Sequence, residues 1–334
     1  MLYYIPIEPY KTRYTADWIE QFETAFDYAG IDFETILGKS ISEDVTEGGV
    51  LDACGTHVYK FKQLSTLMKL IRNGKIVNGD ILFFADLWFP GLESLFYVRN
   101  MLHIDFKIAG VFHAGTYDRF DFTYRNGMRE WGKNLEACWF NDIDYIFVAT
   151  EFHKRLLLYN SQVIQGLSDK IYVTGIPFYA EELRLKYPVA EKEDIVVFPH
   201  RLDEEKHPEK FDMLTNCLKS KGIDCKCIKT ISTCKDRTDY FKLLAKSKVM
   251  VSFADQETFG YSTLEAMALG CIVCVPNRLS YRETVPDRYR YDVGEDIVEI
   301  VKDALQNYTE PNYPDIVKWR NAIPNMLEVL KNGI

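Results

Sequence analysis

The sequence predicts an α/β protein with two domains, each built around a parallel sheet. Short apolar runs alternate along the chain with longer segments whose apolar residues recur at helical spacing, which is the pattern of strand–helix–strand units. The 334 residues exceed what one hydrophobic core usually serves. A polar stretch, 180–194, separates two such halves. We therefore predict domains at 1–176 and 177–311, followed by a closing segment, 312–334.

The individual elements follow from the same patterns. Apolar runs predict strands at 3–7, 80–86, 106–113, 145–150 and 247–254, and another that starts at Ile195. Amphipathic spacing predicts helices at 15–28, 59–71, 91–102 and 262–268. The closing segment has helical spacing over 314–330, and we expect Pro324 to break it.

Composition and charge limit the function classes. A content of 47% hydrophobic and 27% charged residues is typical of a globular protein. No apolar run approaches the ~20 residues that span a bilayer, so no membrane association is expected. The eight cysteines lack framework spacing and the N-terminus does not resemble a signal sequence, which favours a reducing, cytoplasmic setting. The net charge of −9 argues against a general nucleic-acid binder. Oligomeric state stays open.

The most informative motif is a pair of glutamates, Glu257 and Glu265, eight residues apart. Gly260 lies between them, where a buried strand passes into a helix. Backbone N–H groups at such a helix N-terminus can bind an anion. A ligand across this N-terminus would place its phosphates there and its hydroxyls on the two carboxylates. The alternative is a pair of solvated charges on a helix face.

A second motif follows the strand that starts at Ile195. His200, Arg201 and Lys206 come directly after this apolar run. An arginine fork and a lysine point charge suit a diphosphate, and ligands of open α/β sheets collect where strands end. The alternative is that these are surface charges after a buried strand.

Together the two motifs resemble the donor site of a known enzyme family. Glu-x-Phe-Gly followed by Leu-Glu-Ala-Met-Ala-x-Gly, with the upstream Arg…Lys pair, is similar to the signature of retaining glycosyltransferases of family four. The similarity covers roughly 194–286 well and the first half in outline. It implies the GT-B fold, in which two Rossmann-like domains face each other across a cleft and the last helix crosses back to the first domain.

The resemblance also implies roles. Glu265 would accept hydrogen bonds from ribose hydroxyls, and Glu257 from the transferred sugar. The groups that would hold the diphosphate are Arg201, Lys206, His200 and the backbone around Phe259, Gly260 and Tyr261. The co-substrate would be a nucleotide-sugar, expected to be UDP-linked, with no cofactor, and no metal is required if Arg201 and Lys206 stabilise the diphosphate. Retaining members of this family generally lack an obvious enzymic nucleophile, so the resemblance implies transfer at the front face without a covalent intermediate.

Two residues of the first half are candidates for catalysis. His113 ends an apolar run, and the resemblance implies contact with the donor sugar or the acceptor. A structural histidine at a strand end is the alternative. Asp86 ends the preceding strand and is a candidate to orient or deprotonate the acceptor hydroxyl. A capping or turn role is the alternative.

The acceptor is predicted from basic residues among aromatic ones. Lys11 and Arg13 follow the first strand, and Arg119, Arg125 and Arg129 lie in a second such stretch. Guanidinium groups bind phosphates and rings stack on unpaired bases. With 14% aromatic residues, chance neighbours are the alternative.

Further resemblances bear on the acceptor. The motifs at 86–93, 113–118 and 149–154 resemble bacteriophage glycosyltransferases that modify hydroxymethylated pyrimidines in DNA, and the His-Arg…Lys-x-Pro-Glu element resembles tRNA-queuosine mannosyltransferases. DNA is therefore the predicted acceptor, with its base swung out of the stack. A glycan, lipid or tRNA acceptor remains an alternative, as does a non-catalytic nucleotide-sugar-binding protein. An oxidoreductase is disfavoured because no G-x-G-x-x-G follows the first strand.

Overall fold

The structure, a computed structural model, describes residues 1–10, 13–41, 52–161 and 165–332. It divides into two compact units. The first unit contains residues 1–177 together with the segment that starts at Asn321, and the second unit is Phe178–Arg320. Each unit has its own parallel sheet and its own hydrophobic core. The predicted α/β class is confirmed.

The first unit contains a six-stranded parallel sheet. Its strands are β1 (Leu2–Ile5), β2 (Phe33–Thr35), β3 (Ile81–Phe84), β4 (Lys107–Val111), β5 (Tyr145–Val148) and β6 (Ile171–Val173). The strand order is β2-β1-β3-β4-β5-β6, and every neighbouring pair is parallel. The direction of strand addition reverses between β1 and β3, which is the point where open α/β sheets bind ligands.

Helices of the first unit connect these strands. They are α1 (Trp18–Tyr28), α2 (Gly55–Arg72), α3 (Glu93–Leu102), α4 (Arg129–Asp142), α5 (Glu151–Asn160) and α6 (Leu167–Lys170). Short turns precede α1 at Tyr14–Asp17 and α4 at Tyr124–Met128. α2 begins four residues before the predicted start at Tyr59, because Gly55 and Thr56 extend the helix without adding to its apolar pattern.

A close contact between β3 and β4 explains the glycine at position 110. A Cβ on Gly110 would overlap the backbone carbonyl oxygen of Phe84 on β3 and lie 3.0 Å from the Leu87 side chain. We expect Gly110→Ala to lower the free energy of unfolding by about 2–3 kcal/mol, since neither backbone nor core can yield cheaply. The midpoint of urea unfolding measures this change.

Gly30→Ala is the matched control for that substitution. Gly30 has φ of 65°, but no atom lies within 4 Å of its Cβ position. Only the left-handed backbone then opposes alanine, at about 1 kcal/mol. Equal losses for the two variants would contradict a steric cause at Gly110.

The second unit contains a five-stranded parallel sheet. Its strands are β7 (Glu193–Phe198), β8 (Lys226–Lys229), β9 (Ser247–Val251), β10 (Ile272–Pro276) and β11 (Arg290–Tyr291). Their order is β11-β10-β9-β7-β8, so the direction of addition reverses between β7 and β9. The register pairs Val196 with Val249 and Val197 with Met250. The carboxyl ends of β7 and β9 therefore lie side by side.

Helices of the second unit are shorter on average. They are α7 (Ala180–Lys186), α8 (Pro208–Ser220), α9 (Thr230–Thr233), α10 (Arg237–Lys246), α11 (Tyr261–Ala268), α12 (Tyr281–Thr284) and α13 (Ile297–Gln306). α7 occupies the first half of the polar stretch 180–194. α11 is nearly enclosed: its last six residues are all buried, and it packs with α7, α10 and β10.

The closing segment differs from its prediction. A 3₁₀ helix covers Pro314–Asn321, and α14 (Ala322–Asn332) follows at once. The predicted break at Pro324 is wrong, because this proline lies in the first turn of α14, where a missing N–H costs no helical bond. α14 belongs to the first unit and packs with α1. Within the described ranges, no helix combines the length and the apolar character needed to cross a membrane.

Candidate functional site

The predicted donor residues of the second unit lie at the switch point of its sheet. His200 and Arg201 follow the last residue of β7, Phe198, and Glu257 lies in the loop between β9 and α11. Because β7 and β9 are adjacent and parallel, their following loops leave the same edge of the sheet. His200 and Glu257, 57 positions apart in the chain, therefore lie at the same edge of the sheet.

Gly260 shapes the loop that enters α11. It is the N-cap residue and has φ of 89°, a left-handed conformation that glycine adopts without a Cβ penalty. A Cβ on Gly260 would lie 3.5 Å from Cγ of Glu257, so the loop folds the glutamate against the helix start. Phe259 is buried beside it and Tyr261 opens the helix. The N–H groups of this first turn and the helix dipole favour an anion here.

Two predicted donor residues contact each other. Lys206 Nζ lies 3.6 Å from Glu257 Oε2, and the side chains are only 7% and 18% exposed. Lys206 Nζ also donates to the backbone carbonyl of Gln256. The structure therefore fixes the lysine charge next to the loop that enters α11, where a phosphate would benefit from it.

Arg201 is held more loosely. Its guanidinium lies 2.9 Å from Asp203 Oδ2 and 3.6 Å from Glu205 Oε1, and the side chain is 44% exposed. The pair with Asp203 is partly exposed on both sides and contributes little free energy, whereas the Glu205 carboxylate is only 2% exposed.

His200 is a buried neighbour of this cluster. Its Nδ1 lies 3.5 Å from Oγ of Ser262 in the first turn of α11. Within the described part of the chain, its Nε2 has no hydrogen-bond partner. Burial, with the charges of Lys206 and Arg201, holds the pKa of His200 well below its usual value. The imidazole is therefore neutral at physiological pH.

Glu265 has two partners that the sequence did not indicate. Tyr240 Oη donates to Glu265 Oε2 at 2.8 Å, and Arg237 Nη2 lies 3.3 Å from Glu265 Oε1. Burial raises the pKa of Glu265, while the arginine charge and the tyrosine hydrogen bond oppose the rise. Arg237 and Tyr240 stand three positions apart on α10, so both lie on one face of that helix. This spacing was the only sequence signal for the pair, and it does not indicate that Glu265 is their partner.

His113 of the first unit is anchored at the end of β4. Its Nε2 donates to the Ala85 carbonyl at 2.8 Å, and Tyr14 Oη donates to its Nδ1 across 3.3 Å. Its ring packs on Trp18 with 5.0 Å between centroids. Burial lowers the pKa of His113, so the imidazole is neutral. Both ring nitrogens are engaged by the chain.

Asp86 follows β3 and is engaged in a similar way. Lys60 Nζ donates to its Oδ2 at 2.9 Å, and the backbone N–H of Trp88 donates to its Oδ1 at 3.0 Å. These are contacts of a carboxylate that organises a turn. The partner Lys60 lies on α2, 26 residues away, and no local pattern pointed to it.

The loop after His113 is fixed by a buried carboxylate. Glu136 on α4 accepts from the backbone N–H and the hydroxyl of Thr116 at 2.6 and 2.7 Å, and from Trp88 Nε1 at 3.1 Å. Burial raises the pKa of Glu136. A Cβ on Gly115 would lie 2.5 Å from Glu136 Oε1, so the glycine permits this close approach.

The predicted acceptor residues lie on an exposed part of the first unit. Arg119 stacks on Phe120 with 4.5 Å to the ring centroid, and Arg129 on Tyr124 with 5.2 Å. Arg119, Arg125 and Arg129 are exposed. We call residues 119–129 the arginine–aromatic segment. Arg13 is partly buried and its N–H donates to the Tyr10 carbonyl at 2.9 Å, whereas Lys11 lies outside the described residues.

The described residues do not form a metal-binding group. Across 1–10, 13–41, 52–161 and 165–332, no three His, Cys, Asp or Glu side chains form a group suited to a metal ion. The residues best placed for a co-substrate are those around the N-terminus of α11.

Two α/β units, each with an all-parallel sheet, are typical of the GT-B class, and solved structures confirm this fold. The catalytic domain of Starch Synthase IV from Arabidopsis thaliana, bound to ADP and acarbose, aligns with a TM-score of 0.59 at 12% identity, covering 99% of this chain and 97% of that one. An alpha-glucosyltransferase in complex with UDP and a 13-mer DNA containing a central A:G mismatch aligns with a TM-score of 0.59 at 12% identity, covering 99% of both chains. The neighbours are GT-B glycosyltransferases.

Sequence comparison gives a narrower match. No protein-family model matches the chain. A stretch of 87 residues is 32% identical to a tRNA-queuosine alpha-mannosyltransferase of Drosophila melanogaster. That match spans 26% of this chain and 21% of the length of the mannosyltransferase.

Proposed function

We propose that the chain is a nucleotide-sugar-dependent glycosyltransferase. The observation that carries this proposal is the convergence of Lys206, Glu257 and His200 on the N-terminus of α11, at the switch point of the second unit. A helix N-terminus with a fixed ammonium group suits a diphosphate, and a carboxylate beside it suits sugar hydroxyls.

Each residue has a distinct role in this proposal. Lys206, Arg201 and the N–H groups of Gly260 and Tyr261 bind the diphosphate, with His200 Nε2 as a further contact. Glu257 accepts hydrogen bonds from the transferred sugar. Glu265 accepts from the ribose. The donor is UDP-linked in the leading version, and the positive side chains offset the charge of the leaving diphosphate in place of a metal.

Catalysis then rests on leaving-group stabilisation. Charge develops on the diphosphate as the glycosidic bond breaks, and fixed positive groups stabilise that charge at little reorganisation cost. We propose that transfer is at the front face and retains the anomeric configuration. In the first unit, His113 and Asp86 are proposed to serve the sugar and the acceptor hydroxyl. Their present contacts, to Ala85 and Lys60, would hold them in place for that work.

The acceptor is proposed to be a hydroxyl on a nucleic acid. The arginine–aromatic segment supports this, because exposed guanidinium groups stacked on rings suit phosphates and unpaired bases. A hydroxymethylated pyrimidine in DNA is the leading acceptor. Transfer RNA is the second candidate, which the 87-residue match to a tRNA mannosyltransferase favours. Either acceptor would place the activity in the cytoplasm, that of a host cell if the chain is phage-encoded.

A transfer assay tests the proposal directly. The protein is incubated with UDP-, GDP- and ADP-linked sugars and with DNA containing hydroxymethylcytosine, single-stranded or duplex. Unmodified DNA of the same sequence is the control, and queuosine-containing tRNA, a glycan and a lipid are parallel acceptors. Sugar on hydroxymethylated DNA alone supports the leading acceptor, and sugar on tRNA supports the second. Transfer only to glycan or lipid overturns the nucleic-acid proposal, and donor binding without any transfer indicates a non-catalytic protein.

The arginine–aromatic segment gives a separate prediction. We expect Arg129→Gln to raise the KM for the nucleic-acid acceptor several-fold at moderate salt, and to reduce the slope of log KM against log salt by about one. The KM for the nucleotide-sugar should not change. Acceptor titrations at three salt concentrations measure both quantities.

Arg72→Gln is the matched control for Arg129→Gln. Arg72 is also exposed and belongs to the first unit, but it lies at the end of α2, outside the arginine–aromatic segment. If both variants changed the salt slope equally, the segment would not be the acceptor surface.

A further inference from the structure

Side chains from another helix hold both oxygens of the Glu265 carboxylate. The residue lies inside α11 and is 5% exposed. Tyr240 Oη donates to one oxygen at 2.8 Å, and Arg237 Nη2 is 3.3 Å from the other. A carboxylate buried this deeply needs such partners, since an unpaired buried charge is costly.

Both partners are themselves fixed on α10. The helix begins with Asp236 as its N-cap, whose side chain accepts from the N–H of Asp239 at 2.8 Å. The guanidinium of Arg237 stacks on Phe241 with 4.8 Å to the ring centroid. The first turn of α10 therefore presents Arg237 and Tyr240 to α11 as one rigid surface.

The Glu265 carboxylate can accept more hydrogen bonds than Tyr240 and Arg237 donate to it. An ionised carboxylate has about four lone pairs, two on each oxygen. Tyr240 and Arg237 each use one oxygen, so each oxygen keeps a lone pair. Two acceptor sites on one carboxylate match the two hydroxyls of a vicinal diol.

We propose that Arg237 and Tyr240 are positioning residues for donor binding, which orient the Glu265 carboxylate so that its free lone pairs accept hydrogen bonds from the ribose 2′- and 3′-hydroxyls of a nucleotide-sugar. The inference rests on the proposed function, because it needs Glu265 to be the ribose ligand. It extends that function by assigning two residues that do not themselves contact the reacting sugar.

Arg237 and Tyr240 also affect the pKa of Glu265, and through it the pH dependence of donor binding. Burial raises the pKa of Glu265, whereas Arg237 and Tyr240 stabilise the charged form. A protonated carboxyl loses acceptor capacity, so donor binding weakens as pH falls through this pKa. Removing either partner raises the pKa further and moves the acid limb of binding to higher pH. A further titratable group that acts on Tyr240 is the thiol of Cys271, whose pKa burial raises to about 11 and which is therefore neutral.

The preference for a ribose over a dideoxyribose nucleotide can distinguish a positioning role of Arg237 and Tyr240 from a purely structural one. We would measure the Kd of UDP and of 2′,3′-dideoxy-UDP by calorimetry, with ADP and its dideoxy form in parallel. The wild type is expected to prefer the ribose form by about tenfold or more, the worth of hydrogen bonds to a charged group. Tyr240→Phe and Arg237→Gln should each lose several-fold of that preference while the Kd of the dideoxy form stays constant.

A double-mutant cycle tests whether the residues act through Glu265. Glu265→Gln should lose most of the ribose preference on its own. Adding Tyr240→Phe to Glu265→Gln should then change the preference less than twofold, since coupled residues are not additive. Arg237→Lys should restore part of the ribose preference that Arg237→Gln loses. In Arg237→Lys, the pH below which UDP binding weakens should also move back toward the wild-type value.

Two controls match the two substitutions. Tyr308→Phe also removes a hydroxyl, which donates to the Gly270 carbonyl at 2.8 Å. Arg288→Gln also removes a guanidinium stacked on a ring, at 4.7 Å from the centroid of Tyr289. Both should keep the wild-type ribose preference.

Several outcomes would overturn the inference. Equal weakening of UDP and dideoxy-UDP in Tyr240→Phe would mean that the contact is only structural. Tighter UDP binding by Arg237→Gln would mean that the ion pair competes with the ribose. If the wild type binds nucleoside diphosphates but none of the variants changes the preference, the inference fails alone. If the wild type binds neither UDP nor ADP, the proposed function fails with it.

Discussion

Lys206→Met is expected to lower kcat by about 10²–10³-fold, the loss seen when one fixed group that stabilises developing charge is removed. Methionine keeps the length and apolar stem of lysine but removes the ammonium group that lies 3.6 Å from Glu257 and beside the N-terminus of α11. Charge on the leaving diphosphate would then lack its most buried positive partner. Steady-state transfer with saturating nucleotide-sugar measures kcat, and a thermal melt checks that the second unit is folded.

Lys248→Met is the matched control for that substitution. Lys248 is a partly buried lysine of the same unit, and it pairs with Asp194 at 2.7 Å, but it lies on β9 away from the α11 loop. Removing the Lys248 ammonium group should leave kcat within about twofold of the wild-type value, as expected for a surface ion pair. A fall in kcat of the same size in both variants would show that lysine loss acts through folding, and not through the leaving group.

Glu257→Gln is expected to lower kcat/KM for the nucleotide-sugar by about 10–100-fold, the worth of one or two hydrogen bonds to a charged acceptor. The amide keeps the shape of the side chain but loses the charge and one acceptor for sugar hydroxyls. Since the proposed contact is to the sugar and not to the nucleotide, the Kd of free UDP should change little. Kinetics with the full donor and calorimetry with UDP measure the two quantities separately.

Asp194→Asn is the control for the charge change at position 257. It neutralises the carboxylate partner of Lys248, so the two substitutions remove the acidic members of two lysine pairs in one unit. The sugar-contact assignment would be wrong if Glu257→Gln weakened UDP binding as much as it reduced kcat/KM.

The sequence predicted the central strands of both sheets, because buried parallel strands are continuous apolar runs, but it gave no prediction for the short strands β2, β6 and β11. The observed β3 (Ile81–Phe84), β4 (Lys107–Val111) and β9 (Ser247–Val251) lie inside their predicted ranges. Helix ends were less predictable. The break of the closing segment was placed at Pro324, since a proline inside a helical pattern usually interrupts it, but the structure starts α14 just before this residue.

The candidate site was predictable where it depends on local geometry. Glu257, Gly260 and α11 follow from the short distance along the chain between strand end and helix start. Partners set by tertiary packing were not predictable. Tyr14 meets His113 over 99 residues, and Arg237 meets Glu265 over 28, with no local pattern to relate them.

The near-complete enclosure of α11 has a thermodynamic consequence. Its residues Thr263 to Ala268 are all buried, so this helix cannot unfold locally without exposing the core of the second unit. The N-terminal end of α11 is thus available to a ligand only while the whole unit is folded. A donor that binds there would stabilise the native state by RT ln(1 + [L]/Kd), so a donor at one hundred times its Kd would protect the entire unit by about 2.7 kcal/mol.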